Sequence, residues 1–230
     1  MFSNSMMMAA QPPASSGSSD PLSIIGANDL LGWWRAFDDP GTAGQLTDKS
    51  GNSHHLLQPT STKEFSMLAA AINGHDAWKA DGIDDFYKAS FTVAATRELW
   101  AIIRKRKDSG WQNVFDGGSI SSQLVYNYNG DTYLSMYAGA LLRVSSSQPT
   151  SFLYHRLLFN GASSEMAQNG VLIASGDTGS SLSGGLTVGS SSNGTQPSHY
   201  DYADFWLINR ATTTAEQTSL NSYITATYAL

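Results

Sequence analysis

Asp204-Phe-Trp-Leu-Ile-Asn-Arg210, near the end of this 230-residue chain, leads directly into a stretch with the pattern of a helix. The quoted run is rich in apolar and aromatic residues, which is typical of a buried β-strand. Thr213-Thr-Ala-Glu216 then has the spacing of a capping box, in which hydroxyl and carboxylate each accept from a backbone amide. We predict a strand followed by a helix from Ala215 to Tyr228. The apolar stripe of this helix consists of Leu220, Tyr223, Ile224, Thr227 and Tyr228.

The surface beneath that stripe is predicted to be a sheet, because the preceding sequence has almost no helical pattern. Short strand-like runs alternate with turn signals such as Asn-Gly, and the missing crossover helices exclude a parallel α/β fold. The predicted strands are Leu31 to Phe37, Asp76 to Ala80, Leu99 to Arg104, Gln112 to Phe115, Gln123 to Tyr128, Tyr133 to Tyr137, Leu141 to Val144, Phe152 to Phe159, Val171 to Ala174, Leu186 to Val188 and Tyr200 to Ile208. We therefore expect an all-β, antiparallel two-sheet sandwich with one short C-terminal helix.

Composition excludes several classes of function. The formal net charge is −6, which disfavours a role in nucleic-acid binding because phosphates require a basic surface. The chain has 0 cysteines, so disulfides and thiolate metal sites are not available to it. No apolar run approaches the roughly 20 residues that a membrane-spanning helix needs. The start lacks the charged segment of a secretory signal, so we expect synthesis in the cytoplasm.

Residues 1–22 differ in composition from the rest of the chain. Met6, Met7 and Met8 precede a polar tract that contains Pro12 and Pro13 and that cannot build a core of its own. We expect an extended arm over 1–22 that binds a partner surface, with residues 23–230 forming the sandwich domain. The alternative is a tail that packs on its own domain.

Three local patterns follow one another along the chain. Trp33-Trp34 is followed by the turn Asp48-Lys-Ser-Gly-Asn52, and Asp81-Gly-Ile-Asp-Asp85 forms a second, acidic turn. Phe159-Asn-Gly, Gln168-Asn-Gly-Val171 and Leu186-Thr-Val-Gly189 then lead to the closing strand and helix. Taken together, these patterns resemble the laminin-G-like, concanavalin A-like jelly-roll domains found in bacteriophage structural proteins and on bacterial and viral surfaces. The resemblance covers about residues 30 to 230.

This resemblance implies a function as well as a fold. It implies a non-enzymatic bacteriophage virion structural protein, either a capsid decoration or a fibre component, anchored by the arm and assembled in the host cytoplasm. The implied partners are other virion proteins and further copies of the chain. A carbohydrate-binding module that attaches to surface glycans is the alternative, and a glycoside hydrolase is a distant third.

No cofactor is implied by the motifs. Asp48, Asp81, Asp84 and Asp85 are interpreted as turn-forming residues whose carboxylates accept from local amides. Some relatives of the fold bind calcium, so calcium binding stays open, although the sequence assigns no set of ligands. His54 and His55 are adjacent and would point to opposite faces of a strand, so they cannot chelate one ion together.

Catalysis by a retaining glycosidase requires two carboxylates about 5 Å apart. The four glutamates, Glu64, Glu98, Glu165 and Glu216, do not form the alternating acidic strand of the laminarinase-type relatives, and Glu216 is explained as a helix cap. The run Arg104-Lys-Arg-Lys107 is interpreted as a solvated hairpin end, and contact with an acidic subunit or an anionic glycan is the alternative.

Two clusters have the side chains that sugar sites use, namely aromatic faces beside amides and carboxylates. They are predicted near turns of the sandwich. The first contains Trp111, Tyr126, Tyr128, Asn129 and Asp131, and the second contains His199 and Tyr200. The competing interpretation is that these are ordinary hairpin residues with no ligand.

Overall fold

The computed structural model describes residues 19–107, 110–118, 123–127, 133–145 and 148–230, and for 123–127 it describes the backbone alone. In chain order the elements are α1 (Pro21–Ile25), β1 (Leu30–Arg35), β2 (Gln45–Leu46), β3 (Leu56–Leu57), β4 (Ser66–Ile72), β5 (His75–Lys79), β6 (Tyr87–Ala89), β7 (Arg97–Lys105), β8 (Gln112–Asp116), β9 (Gln123–Asn127), β10 (Tyr133–Tyr137), β11 (Leu141–Ser145), β12 (Leu153–Phe159), β13 (Ser164–Gln168), β14 (Val171–Gly176), β15 (Leu186–Val188), β16 (Tyr200–Ile208) and α2 (Thr214–Tyr228). Single turns of 3₁₀ helix span Ala36–Asp38 and Ser61–Lys63.

The strands form two sheets of eight strands each, and the named strands pair antiparallel throughout the described residues. One sheet has the order β14-β13-β12-β7-β16-β5-β4, with β1 also paired to β16; we call it the helix-packed sheet. The second sheet has the order β11-β10-β9-β8-β15-β6-β3-β2. The predicted antiparallel sandwich is therefore confirmed.

Strand β16 contributes to both apolar layers of the molecule. Tyr202, Phe205 and Leu207 lie in the core between the two sheets, whereas Trp206 and Ile208 lie on the opposite face of the same strand. The alternation follows from the two-residue period of a strand, and all of β16 is buried. Because both faces of the strand must be covered, a second apolar layer has to close over the helix-packed sheet.

Helix α2 is that cover. It buries Leu220, Tyr223, Ile224 and Tyr228 against the outer face of the helix-packed sheet. The capping box forms as predicted: Glu216 N donates to Thr213 Oγ1 at 3.3 Å, and Thr213 N donates to Glu216 Oε2 at 2.7 Å. The predicted helix is confirmed, with a start one residue earlier at Thr214, and four of the five residues of its predicted stripe are buried, whereas Thr227 is half-buried.

The short helix α1 adjoins the same layer. Asp20 caps it by accepting from Ser23 N at 2.8 Å, and Ile25 is buried in the layer beneath α2. Pro21 and Leu22, which the sequence analysis placed in the arm, belong to this helix. Of that arm, 1–18 lies outside the described residues, and so do Met6, Met7, Met8, Pro12 and Pro13. Among the described residues, every helix is too short or too polar to cross a membrane.

Candidate functional site

Trp111 lies at one end of the sandwich, immediately before β8, and the residue is 38% exposed. Its indole Nε1 donates to Asn113 Oδ1 at 3.2 Å. The two residues are two apart on an extended segment and so share a face. The hydrogen bond fixes the orientation of an exposed aromatic ring, which is the type of surface on which the apolar side of a pyranose stacks.

Gln112 brings the two predicted clusters together. Its Oε1 accepts from His199 N at 2.7 Å, and its Nε2 donates to Lys107 O at 3.1 Å. Strand β8 belongs to the second sheet, and His199 precedes β16 of the helix-packed sheet, so this amide joins the two sheets at their end. Since Gln112 is fully buried and bonded at both ends, its role is structural, and it positions His199 next to the Trp111 segment.

His199 contributes a neutral imidazole to this end of the sandwich. Burial, together with the nearby charges of Arg106 and Lys107, lowers its pKa below the ordinary value, against the opposing charge of Asp81. A neutral imidazole has one donor and one acceptor nitrogen, which suits a sugar hydroxyl. The ring lies against Gly82, where an added Cβ would come within 2.2 Å of it and where φ is +77°. Only glycine accommodates both the turn and the ring at that position.

The basic run beside this site is held by a buried carboxylate. Arg104 Nε donates to Asp201 Oδ2 at 2.8 Å, and Arg106 Nε lies 2.8 Å from Asp201 Oδ1. Asp201 is fully buried, so both guanidinium groups are fixed in place by one counter-ion. Arg104 and Arg106 share one side, as strand geometry predicts, but they are partly buried ion-pair partners and not a solvated hairpin end.

The acidic turn adjoins His199 on its other side. Asp81 Oδ1 accepts from Ile83 N at 2.7 Å and from Asp84 N at 3.3 Å, and Asp85 Oδ2 accepts from Asp81 N at 2.9 Å. Burial raises the pKa of Asp85 to about 6. Carboxylate oxygens of Asp81, Asp84 and Asp85 lie within 4.8 Å of one another. Because Asp81 and Asp85 accept from amides of the turn, as the sequence predicts, and Asp84 pairs with Lys63 at 3.5 Å, we assign them no calcium.

Asp48 also forms its turn as predicted. Its Oδ1 accepts from Trp33 N at 3.0 Å and Ser50 N at 2.9 Å, and its Oδ2 accepts from His54 N at 2.9 Å. These bonds tie strand β1 to the loop that follows it. His54 bonds through Nδ1 to Leu31 O at 2.7 Å, which gives that side chain a structural role as well.

The remaining predicted sugar-site residues divide into three groups. Tyr200 is 1% exposed and lies in the core between the sheets, so the prediction that it contacts a sugar is wrong. Tyr126 lies on β9, where the backbone alone is described and pairs with Asn113 and Ser135. Tyr128, Asn129 and Asp131 lie outside the described residues.

Asn113 is not among the site residues predicted from the sequence. It is buried, its Oδ1 holds the Trp111 indole, and among the described residues its Nδ2 has no hydrogen-bond partner. Its position two residues after an exposed tryptophan on a predicted strand was the available signal. We call Trp111 and Asn113, together with His199, whose backbone Gln112 holds to the same segment, the Trp111 site.

The four glutamates all have structural partners. Glu98 is fully buried and accepts from Trp100 Nε1 at 2.5 Å and Thr212 Oγ1 at 2.6 Å, while Glu165 pairs with Arg156 at 2.5 Å. Glu64 accepts from Gly44 N at 3.1 Å, and Glu216 caps α2. Each of these carboxylates is thus accounted for by the fold.

Comparison with known proteins gives a likeness of fold. Neither a protein-family model nor a curated protein sequence matches the chain. Among solved structures, Trypanosoma rangeli sialidase in complex with sialic acid is similar with a TM-score of 0.61 and 13% identity, covering 87% of this chain and 34% of the sialidase. The receptor-binding domain of botulinum neurotoxin C/D mosaic serotype is similar with a TM-score of 0.63 and 10% identity, covering 85% of this chain and 51% of that domain. The chain thus spans about one third of the sialidase and half of the toxin domain.

These similarities correct one expectation from the sequence. The resemblance to jelly-roll domains implied a bacteriophage virion structural protein, whereas the similar structures are a sialidase and a toxin receptor-binding domain, and this contradicts the virion role. At 10–14% identity they show a β-sandwich fold and include both an enzyme and a binding domain. The laminin-G-like resemblance is supported at the level of that fold.

Proposed function

We propose that this domain is a glycan-binding module and that the Trp111 site is its binding surface. The observation that carries the proposal is the exposed Trp111 ring, oriented by its hydrogen bond to Asn113, on a segment to which Gln112 ties the backbone of His199. Stacking on an oriented indole and hydrogen bonds from nearby polar groups, such as the half-buried imidazole of His199, are the two elements of sugar recognition. The order of motifs that resembles laminin-G-like, concanavalin A-like domains supports the same proposal.

Binding without cleavage is part of the proposal. A retaining glycosidase needs an acid and a nucleophile on facing sides of the scissile bond, about 5 Å apart. Glu98 accepts from Trp100 and Thr212, and Glu165 pairs with Arg156. Glu64 accepts from Gly44, and Glu216 caps α2. All four glutamates lie away from the Trp111 site. The acidic turn does adjoin the site, but Asp81 and Asp85 accept from backbone amides of the turn and Asp84 pairs with Lys63.

Screening the full chain on a glycan array tests the proposal. The array should contain neutral and sialylated glycans, because the similar sialidase was solved with sialic acid. Affinity for any glycan that binds should then be measured by calorimetry for the wild type, Trp111→Ala and His199→Ala. Loss of one stacked ring is worth about 1 kcal/mol, so we expect Trp111→Ala to weaken binding about fivefold or more.

Val171→Ala is the matched control, since Val171 is 64% exposed and lies on edge strand β14 of the helix-packed sheet. It removes a similar exposed apolar contact far from Trp111 and should leave affinity unchanged. Absence of binding to every glycan at millimolar concentration would refute the proposal. An equal loss of affinity in Val171→Ala and Trp111→Ala would show that Trp111 is not the binding surface. Release of free sugar would contradict binding without cleavage.

A further inference from the structure

A groove lies on the outer face of the second sheet, where β3 begins. Leu56 of β3 is in the core, so Leu57 points outward, and it is 51% exposed. Its partner across the strand pair is Lys88 of β6, which is also exposed. The groove beside them has a volume of about 420 Å³ and is also bordered by His54 and His55. This volume is within the roughly 300–1,000 Å³ of small-molecule sites.

Two contacts fix the imidazole ring of His54. Its Nδ1 lies 2.7 Å from Leu31 O, and the ring stacks on Phe91 with ring centres 4.2 Å apart and planes inclined by 10°. A carbonyl oxygen can only accept a hydrogen bond, so the proton of the neutral His54 ring is on Nδ1. Nε2 of His54 therefore has a lone pair and is a hydrogen-bond acceptor.

His55 has the opposite arrangement. Its Nδ1 accepts from Asp48 N at 3.1 Å, so the proton of the neutral His55 ring is on Nε2, which is a donor. Both histidines are half-buried, and each Nδ1 is turned toward the backbone. Nε2 of each ring is open to solvent and has no hydrogen-bond partner among the described residues. The groove thus has one acceptor nitrogen and one donor nitrogen.

This pair of nitrogens discriminates between ligand chemistries. A metal ion shared by the two rings needs a lone pair from each Nε2, whereas Nε2 of His55 carries a proton. An ionised carboxylate or phosphate has only acceptor oxygens, which match the donor of His55 but not the lone pair of His54. A hydroxyl group both donates and accepts, so hydroxyls satisfy both nitrogens.

We infer that this groove binds a neutral pyranose ring, with hydroxyls that donate to His54 Nε2 and accept from His55 Nε2. The exposed Leu57 provides the apolar contact that sugar sites combine with such polar groups. The charges on either side of Leu57 have opposite signs, because Lys88 borders this groove and Glu64 borders the next one. The surface therefore does not select for an acidic sugar.

The groove is separate from the Trp111 site. Strand β8 follows Trp111, and β15 and β6 lie between β8 and β3 in the second sheet. Three strand spacings correspond to about 14 Å. The inference is thus a second sugar site of the domain, and it does not depend on the Trp111 site.

NMR of protein with nitrogen-15-labelled histidines tests the inference. At pH 8 an ordinary imidazole is neutral, and the shifts of its two nitrogens show which one carries the proton. We expect the proton of His54 on Nδ1 and that of His55 on Nε2. Methyl pyranosides of glucose, galactose and mannose are then added separately at tens of millimolar, and at least one of them should shift the Nε2 resonances of both rings.

His54→Asn and His55→Asn are the matched variants, because the asparagine amide can replace the hydrogen bond of Nδ1 while Nε2 is removed. Each should weaken binding of the active pyranoside about two- to tenfold, the effect of one lost hydrogen bond. Leu57→Ala should also weaken it. Leu141→Ala is the control, since Leu141 is 46% exposed on β11, at the far edge of the same sheet, and should leave affinity unchanged.

Several results would overturn the inference. Nε2 resonances that do not respond to any pyranoside would do so, as would the same tautomer in both rings. A stronger response to N-methylacetamide than to the sugars would assign the groove to peptide groups. Loss of the His54 and His55 shifts in Trp111→Ala would assign the binding to the Trp111 site, whereas their persistence is expected. Should a histidine variant fail to fold, the wild-type shifts and Leu57→Ala decide the outcome.

Discussion

Asp204 joins the sheet and the helix through one carboxylate. Trp33 Nε1 donates to its Oδ1 at 2.8 Å, and the hydroxyls of Tyr223 and Tyr228 donate to its Oδ2 at 2.6 and 2.9 Å. The residue is fully buried, and burial raises its pKa to about 7 in spite of these donors. Three aromatic side chains from β1 and α2 therefore depend on one titrating group of β16.

Replacing Asp204 by Asn should flatten the dependence of stability on pH. The folded protein holds this proton more tightly than the unfolded chain between about pH 4 and pH 7, so the free energy of unfolding falls as pH rises through that window. Two pH units in that window correspond to about 2.7 kcal/mol. Urea denaturation at pH 5 and pH 8 measures how much unfolding free energy is lost between the two pH values. We expect this loss to be smaller in Asp204→Asn than in the wild type by about 2 kcal/mol.

Asp177→Asn is the control for that prediction, because Asp177 is exposed and its carboxylate serves only a local turn by accepting from Gly179 N. Asp85 and Asp116 also have raised pKa values, about 6 and about 7. Their contribution to the pH dependence of stability is the same in the wild type and in both variants. The same pH dependence in Asp204→Asn and the wild type would show that Asp204 is ionised in both states at pH 5.

The Trp111 site shows what single residues can and cannot reveal. Trp111 and His199 were predicted as members of separate clusters, because each has a side chain suited to sugars. Their proximity depends on Gln112, which connects strands that are remote in sequence and in different sheets. Tyr200 has the same chemical character as an exposed tyrosine, yet the direction of β16 turns it into the core. Neither fact is present in local sequence.

At the scale of an element, helix α2 depends on its first turn. The capping box is supported by Arg210, whose Nη2 lies 2.7 Å from Glu216 Oε1 and whose Nε lies 2.8 Å from Asp29 Oδ2. These bonds lower the pKa of Glu216 to about 2, since Arg210 and the backbone of Thr213 favour the charged form. The start of the helix is thus tied to the loop before β1.

Thr213→Ala should lower the free energy of unfolding by about 1 kcal/mol, because the amide of Glu216 loses its acceptor. Hydrogen exchange in the first turn of α2 should accelerate at the same time. Chemical denaturation and amide-exchange mass spectrometry measure the two effects. Thr218→Ala, at an exposed position within the helix, should be neutral or slightly stabilising, since alanine favours helix. An equal loss of unfolding free energy in Thr213→Ala and Thr218→Ala would contradict the stabilising role of the cap.

Long strands with strong patterns were predictable, and short or irregular ones were not. The bounds of strand β16 and helix α2 match the predicted ones almost completely, because the spacing of apolar residues and the capping residues indicate the same bounds there. Strand β4 was missed: Ser66-Met-Leu-Ala-Ala-Ala-Ile72 is an alanine-rich edge strand with a bulge, and Ala70 has φ of 50°. Strands β2, β3 and β6 are too short to show a period, so only pairing with neighbours defines them.

At the scale of the whole molecule, one strand belongs to two cores. Leu207 points into the core between the sheets, and Trp206 points into the layer beneath α2. Trp100 and Trp206 stack there with ring centres 5.9 Å apart, and Trp34 stacks on Phe205 on the other side at 5.3 Å. Loss of either layer would expose one face of β16, so neither layer is an independent folding unit.

Truncations in the two layers should therefore destabilise a single cooperative transition. Leu207→Ala and Ile224→Ala each remove a fully buried side chain, one from each layer, and each should cost about 2–5 kcal/mol. Because Trp33, Trp100 and Trp206 lie beneath α2 while Trp34 and Trp78 lie between the sheets, tryptophan fluorescence reports on both layers. Urea unfolding curves from fluorescence and far-UV circular dichroism should coincide in both variants. Ser222→Ala, exposed on α2, should match the wild type. Two separated transitions in Ile224→Ala would instead show that the helix layer unfolds before the sandwich.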